Sequence, residues 1–169
     1  MFDRAETERQ LRESLRVLEL ALAQAPERWH RPSGEETPPD FWGAAMNLAH
    51  LAVYEERIAA PVLEALADGG DGSDAIRPGA TADWEEREAA QLSREPVGRI
   101  LERLRAARER QIAAVRRIPD ERFTTPATPH WTRVRDDAPK SPAWVAAKTV
   151  QHTWEHGNSV MQIALFFPP

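Results

Sequence analysis

Apolar residues recur at three- and four-residue spacing along four long stretches of the chain, and nowhere do they alternate over a length that makes a convincing strand. The first stretch places Leu11, Leu15, Leu18 and Leu22 on one stripe. It begins near Asp3, which has capping-box spacing with Glu6, and runs to Pro26. The second takes Asp40 as N-cap after a polar, proline-rich connector, passes through His50 and reaches about Ala67, where Asp68-Gly69-Gly70 closes it. Pro61 removes one backbone donor inside that helix, which predicts a kink one turn upstream, near Arg57. The third spans Glu95 to Ile118 with Val97, Leu101, Leu104, Val115 and Ile118 on a heptad-like stripe that Arg108 and Gln111 interrupt, and Pro119 stops it. The fourth opens on Ser141-Pro142, a serine N-cap before a proline at the first helical position, and runs almost to the last residue.

Four amphipathic helices predict an all-α fold, a four-helix bundle formed by one domain over residues 1–169. Residues 68–93 are the longest weakly patterned segment. They read as a long crossover connection between helices 2 and 3, with a short helix over Trp84 to Leu92, so the topology is not a plain up-down-up-down series. The last helix carries two apolar faces: Val145, Thr149, His152, His156, Ser159 and Ile163 on one, and Trp144, Ala147, Trp154, Met161 and Leu165 on the other. That pattern predicts burial on both sides. The outer face would be covered by residues 119–140 or by a second subunit, and a homodimer is the expected assembly.

A net charge of −5 repels phosphate backbones and anionic lipid heads, so neither nucleic acid nor membrane is an expected partner. The chain has no cysteine, which excludes disulfides, thiolate metal sites and cysteine nucleophiles; any metal must be held by His, Asp or Glu. MFDRAETERQ at the start lacks the apolar run of a secretion signal, and no apolar stretch is long enough to span a bilayer. A cytoplasmic location is the expectation that follows.

Candidate chemistry lies in the last helix, where His152 and His156 stand one turn apart on the predicted inner stripe. Burying an imidazole there costs its hydrogen bonds to water unless it has a partner. His50 interrupts the apolar run NLAHLAVYEERI in the same way, with Met46 and Val53 as inward neighbours. Three neutral nitrogens from two helices can converge on one divalent ion. The competing reading makes them core histidines bonded to carbonyls or carboxylates. The His-x-x-x-His spacing is not that of a zinc protease, because Thr153 stands where such a motif needs Glu.

A helix ending in a Pro- and Trp-containing connector, a helix with an inward histidine (N-L-A-H-L-A), a long crossover and a closing helix with H-x-x-x-H together resemble the DinB-like (DinB/YfiT) superfamily. The resemblance covers nearly all the chain, and its specific part is the three histidines in their helices. It implies a four-helix bundle, often dimeric, with a divalent metal, nickel or zinc, on His50, His152 and His156. Some branches of that superfamily are thiol S-transferases using low-molecular-weight thiols such as bacillithiol or mycothiol. In the mycothiol-using maleylpyruvate isomerase branch the first ligand of the last helix is Glu, whereas this chain has His152, which argues against that isomerase.

Three imidazoles leave an ion its full charge and an open position for water or a thiol, which suits hydrolysis and thiol transfer equally. The expected function is therefore a metal-dependent transferase or hydrolase acting on a small electrophilic substrate, with a low-molecular-weight thiol as possible cosubstrate. A metal-binding stress protein without turnover and a purely structural bundle are the alternatives. Tyr54 and Arg108 are the catalytic candidates, Arg108 as a holder of an anionic substrate or else as an ion-paired arginine. Asn47, Thr149 and Ser159 flank the histidines at helical spacing and are candidates to orient them. Glu55 and Glu155 are rotated away from the histidines and read as solvated or as groups supporting the ligands from behind. His30 and His130 fall in Trp-containing loops and read as surface residues.

Overall fold

The computed structural model describes residues 3–24, 42–76, 84–128 and 138–166, and the expectations placed on Pro26, His30, Asp40, His130 and the Leu165 side chain lie outside the described residues. The fold is all-α. Its elements are α1 (Arg4–Gln24), α2 (Ala44–Tyr54), a π turn (Glu55–Ala59), α3 (Ala60–Ala67), α4 (Ser73–Ile76), α5 (Trp84–Leu92), α6 (Val97–Arg117), α7 (Asp120–Phe123) and α8 (Pro142–Phe166). Among the described residues, an isolated antiparallel bridge joins Thr128 and Lys140.

Local chemistry accounts for most of the boundaries. Asp3 Oδ1 accepts from the Ala5 amide at 3.0 Å and so caps α1, but Glu6 turns to Arg9 and Gln10 instead of closing a capping box. Ser141 Oγ accepts from the Trp144 amide at 3.2 Å and caps α8, as its sequence predicts. The second bundle helix departs from expectation: it begins at Ala44 behind an extended Gly43, three residues beyond the start that an Asp40 cap would give. Where Pro61 predicts a kink near Arg57, the structure has a π turn over Glu55–Ala59. Without an amide hydrogen at Pro61 the helix widens into this turn, in which the Ala60 amide reaches back to Glu55 O.

Four helical rods build the bundle: α1, the α2–α3 rod, α6 and α8, with α1 and α6 each packed beside both of their neighbours in the ring and α5 laid on α2. Ion pairs reveal the directions. Arg12–Glu109, Arg105–Glu19 and Arg116–Glu8 pair α1 with α6 in opposite sense, whereas Arg103–Glu56 and Arg110–Glu64 pair α6 with the α2–α3 rod in the same sense. The crossover over α4 and α5 therefore returns the chain so that α6 runs parallel to α2–α3. These pairs are exposed and worth under about 1 kcal/mol each, so they report register more than stability.

Two apolar clusters fill the bundle, and they are not continuous. One gathers Leu11, Val62, Leu63, Leu66, Ile112, Val115, Ile118 and Val145; the other gathers Leu18, Leu48, Leu51, Val53, Ile100, Leu104 and Val160. Between them lies a polar layer of Ser14, Glu55, Arg108, Gln111, Thr149 and Thr153, all buried. Arg108 and Gln111, which break the apolar stripe of α6 in the sequence, belong to this layer. Of the two sequence readings of Glu55, burial overturns the solvated one: it is 0% exposed.

The inner face of α8 is also rotated from its predicted position. Val145, Thr149 and Ile163 are buried as expected, but Thr153, Gly157 and Val160 are buried too, while His152, His156 and Ser159 lie at the edge of the stripe, half-buried. Gly157 lies on the side of α8 that faces α1, next to Leu18. The second covered face is only partly realised: Trp144, Ala147 and Met161 are half-buried, and Trp154 is 49% exposed.

Candidate metal centre

His50 projects from α2, and His152 and His156 project from one edge of α8, where the two rods pack against each other. Ring centroids are 5.0 Å apart for His50–His152, 4.9 Å for His50–His156 and 4.7 Å for His152–His156. One nitrogen from each ring lies within 4.8 Å of the others, and among the described residues this is the group able to hold a metal ion. His50 is 7% exposed and its two partners are half-buried, so the trio sits at the rim of the core, not deep inside it.

Asn47 supplies the detail that turns proximity into directed lone pairs. Its Nδ2 donates to Trp42 O at 2.9 Å and to Gly43 O at 3.1 Å, so its Oδ1 is the atom that faces His156 Nδ1 at 2.7 Å. A carbonyl oxygen only accepts, hence Nδ1 carries the ring proton and Nε2 presents a bare lone pair. That Nε2 lies 3.1 Å from His152 Nε2. Two nitrogens bound to one ion at about 2.0–2.1 Å in a tetrahedral shell sit about 3.3 Å apart, so the spacing and the tautomer both fit a shared cation. Burial pushes the His156 pKa down from 6.5 to about 4, which keeps the ring neutral, as a ligand must be.

Aromatic rings wall the group. The Trp42 indole stacks on His156 at 5.9 Å with 15° between planes and tilts against His50 at 5.1 Å. Tyr54 meets His152 edge-on at 4.6 Å. It is buried, and burial, then the charges of Glu55 and Glu85, hold its phenol well above the usual range. Tyr54 is thus a neutral hydroxyl beside the histidines, able to donate a hydrogen bond but held too weakly acidic to give up its proton and unsuited to serving as a base.

Arg108 stands away from the trio. Its Nε and Nη2 donate to Glu55 at 2.9 and 2.5 Å, Nη1 to Ser14 Oγ at 2.9 Å and to Leu11 O, and Nη2 also to Thr153 Oγ1 at 2.8 Å. All five N–H groups of the guanidinium are engaged. Of its two sequence readings, the ion-paired one is what the structure shows, with no donor left for a substrate anion. Gln111 Nε2 adds a third bond to Glu55 at 2.6 Å. Thr149 serves this layer, not the histidines. Ser159 Oγ donates to Glu155 O, and Glu155 is exposed and accepts from Gln151.

Sequence reasoning named Asn47 as a candidate orienter without seeing that it serves His156 across the interface. Trp42 was missed, although its place just before α2, five residues ahead of Asn47, was a usable signal. No helix among the described residues is long and apolar enough to cross a membrane. No curated protein and no solved structure matches the chain. The family pattern of the DinB superfamily matches residues 5–160, which takes in the bundle and all three histidines. The chain belongs to the DinB superfamily.

Proposed function

We propose that His50, His152 and His156 hold a divalent metal ion, zinc or nickel, and that the protein is a metal-dependent enzyme acting on a small electrophilic substrate by thiol transfer or hydrolysis. The observation that carries this reading is the convergence of three imidazole nitrogens, one of them with its lone pair fixed by Asn47 Oδ1. A divalent ion so held supplies Lewis acidity and brings the pKa of a bound water or thiol toward neutrality.

The chain's own residues prepare the rest. Asn47 holds the tautomer, Trp42 shields one side of the trio, and burial keeps His156 neutral down to about pH 4. Tyr54 keeps its proton beside His152 and can donate a hydrogen bond to an oxygen that gains charge during reaction. An imidazole at 152 leaves the ion with neutral ligands throughout, which maximises its pull on an electrophile.

The test is a panel of low-molecular-weight thiols with electrophilic acceptors, run beside activated esters in water, using protein loaded with zinc or nickel. Turnover that depends on the metal and disappears in His50→Ala is expected. A loaded protein that turns over no member of either panel would instead be a binder without catalysis.

A further inference from the structure

The polar layer between the two apolar clusters is fastened to both histidine-bearing rods, at residues next to the histidines. Arg108 Nη2 donates to Thr153 Oγ1 at 2.8 Å, and Thr153 directly follows His152. Thr149, one turn before His152, donates to Gln111 Oε1 at 2.9 Å. Glu55 receives both Arg108 and Gln111 and opens the π turn directly after Tyr54, one turn beyond His50. Arg108 and Gln111 come from α6, which carries no histidine. One helix thus grips the other two at the level of the site.

Stability alone is a poor reason for this layer. Burying a carboxylate and a guanidinium strips both of water, and apolar replacements of such pairs are often as stable; fixing one register among several is the better-attested use. Register matters here because a rotation of about 10° moves an atom at the helix's side-chain radius of about 5–6 Å by about 1 Å. Metal–ligand bonds tolerate only about 0.2 Å.

We propose that Glu55, Arg108, Gln111, Thr149 and Thr153 form a positioning layer that sets the rotation and register of α2 against α8, and so the spacing of His50 from His152 and His156. The inference rests on the metal site proposed above, and none of the five residues is a ligand. Thr153→Val removes one tether while keeping side-chain shape, and Thr153→Ser restores the hydroxyl. Ile118→Val, at the far end of the core, serves as a control for general loosening.

Cobalt titration of the full chain reads affinity and the visible ligand-field bands, and ring resonances of the metal-free protein read histidine geometry. Thr153→Val is expected to bind cobalt at least about tenfold more weakly, with shifted bands and moved His50 and His152 resonances, an effect in the range seen for groups that orient ligands. Thr153→Ser is expected to recover all three readouts, and Ile118→Val to leave them unchanged. Unaltered resonances and affinity in Thr153→Val, or an equal loss in Ile118→Val, overturns the layer's role. A wild-type chain that takes up no cobalt sinks the metal reading instead, and the ring resonances still decide the layer.

Discussion

Replacing Asn47 by leucine isolates what one amide contributes to the histidine group. The side chain is buried and makes three bonds: two donations, to Trp42 O and Gly43 O, and one acceptance from His156 Nδ1. Leucine keeps the volume and loses all three. His156 then has no acceptor on Nδ1, and its proton is free to move to Nε2, the atom 3.1 Å from His152 Nε2. Loss of such an orienting partner costs about 10–100-fold in metal affinity, or about 1.4–2.7 kcal/mol. Asn47→Asp separates the terms. It keeps an acceptor for Nδ1 but turns a carboxylate toward two carbonyls, so it is expected to lower metal-free stability by about 1–3 kcal/mol while holding affinity within a few-fold. Zinc competition titrations give the affinities, and nitrogen shifts of the His156 ring give the tautomer. Leucine at 47 with wild-type affinity, or a wild-type His156 protonated on Nε2, would refute the reasoning.

The His156 ring stays neutral in the fold to about pH 4, whereas an exposed imidazole takes up a proton near 6.5; below 6.5 the unfolded chain therefore binds the extra proton. Metal-free stability is expected to be independent of this group above pH 6.5 and to fall by about 3 kcal/mol on approaching pH 4, a loss that His156→Gln removes in denaturant titrations across that range. Glu55→Gln leaves the buried Arg108 charge uncompensated and is expected to cost about 3–5 kcal/mol, while Glu55→Met with Arg108→Met recovers most of it; equal losses in both would contradict the ion-pair account. Because the Trp42 indole stacks on His156, nickel or cobalt is expected to quench its emission, and Trp42→Phe to abolish the metal-dependent part; quenching that survives in Trp42→Phe would place the ion elsewhere.

Periodicity made the rods legible, and single residues made several of their ends legible: Asp3, Ser141 and Pro119 act through local hydrogen bonds or a missing amide, which depend on sequence neighbours alone. The His152–His156 pair was legible for the same reason, since i and i+4 side chains meet on any α-helix. What escaped were features set by packing between rods. The edge position of the histidines follows from the way α8 turns Thr153, Gly157 and Val160 inward, which no single-helix pattern reveals. The rotation of Glu55 away from His50 reads as solvated on helical spacing alone. That direction faces α6, where Arg108 and Gln111 donate to the buried carboxylate. Asn47 was visible as a flanking residue, but its partner lies on α8, across an interface that spacing within α2 does not describe.

Elemental analysis of protein purified without a histidine tag tests the central claim most directly. The wild-type chain is expected to carry about one divalent ion per molecule, and His152→Ala with His156→Ala none, because a single remaining imidazole cannot hold the ion against solvent. Wild-type protein that retains no divalent metal on incubation with zinc or nickel, or a double variant that keeps its full complement, would contradict the assignment of these three histidines as the site.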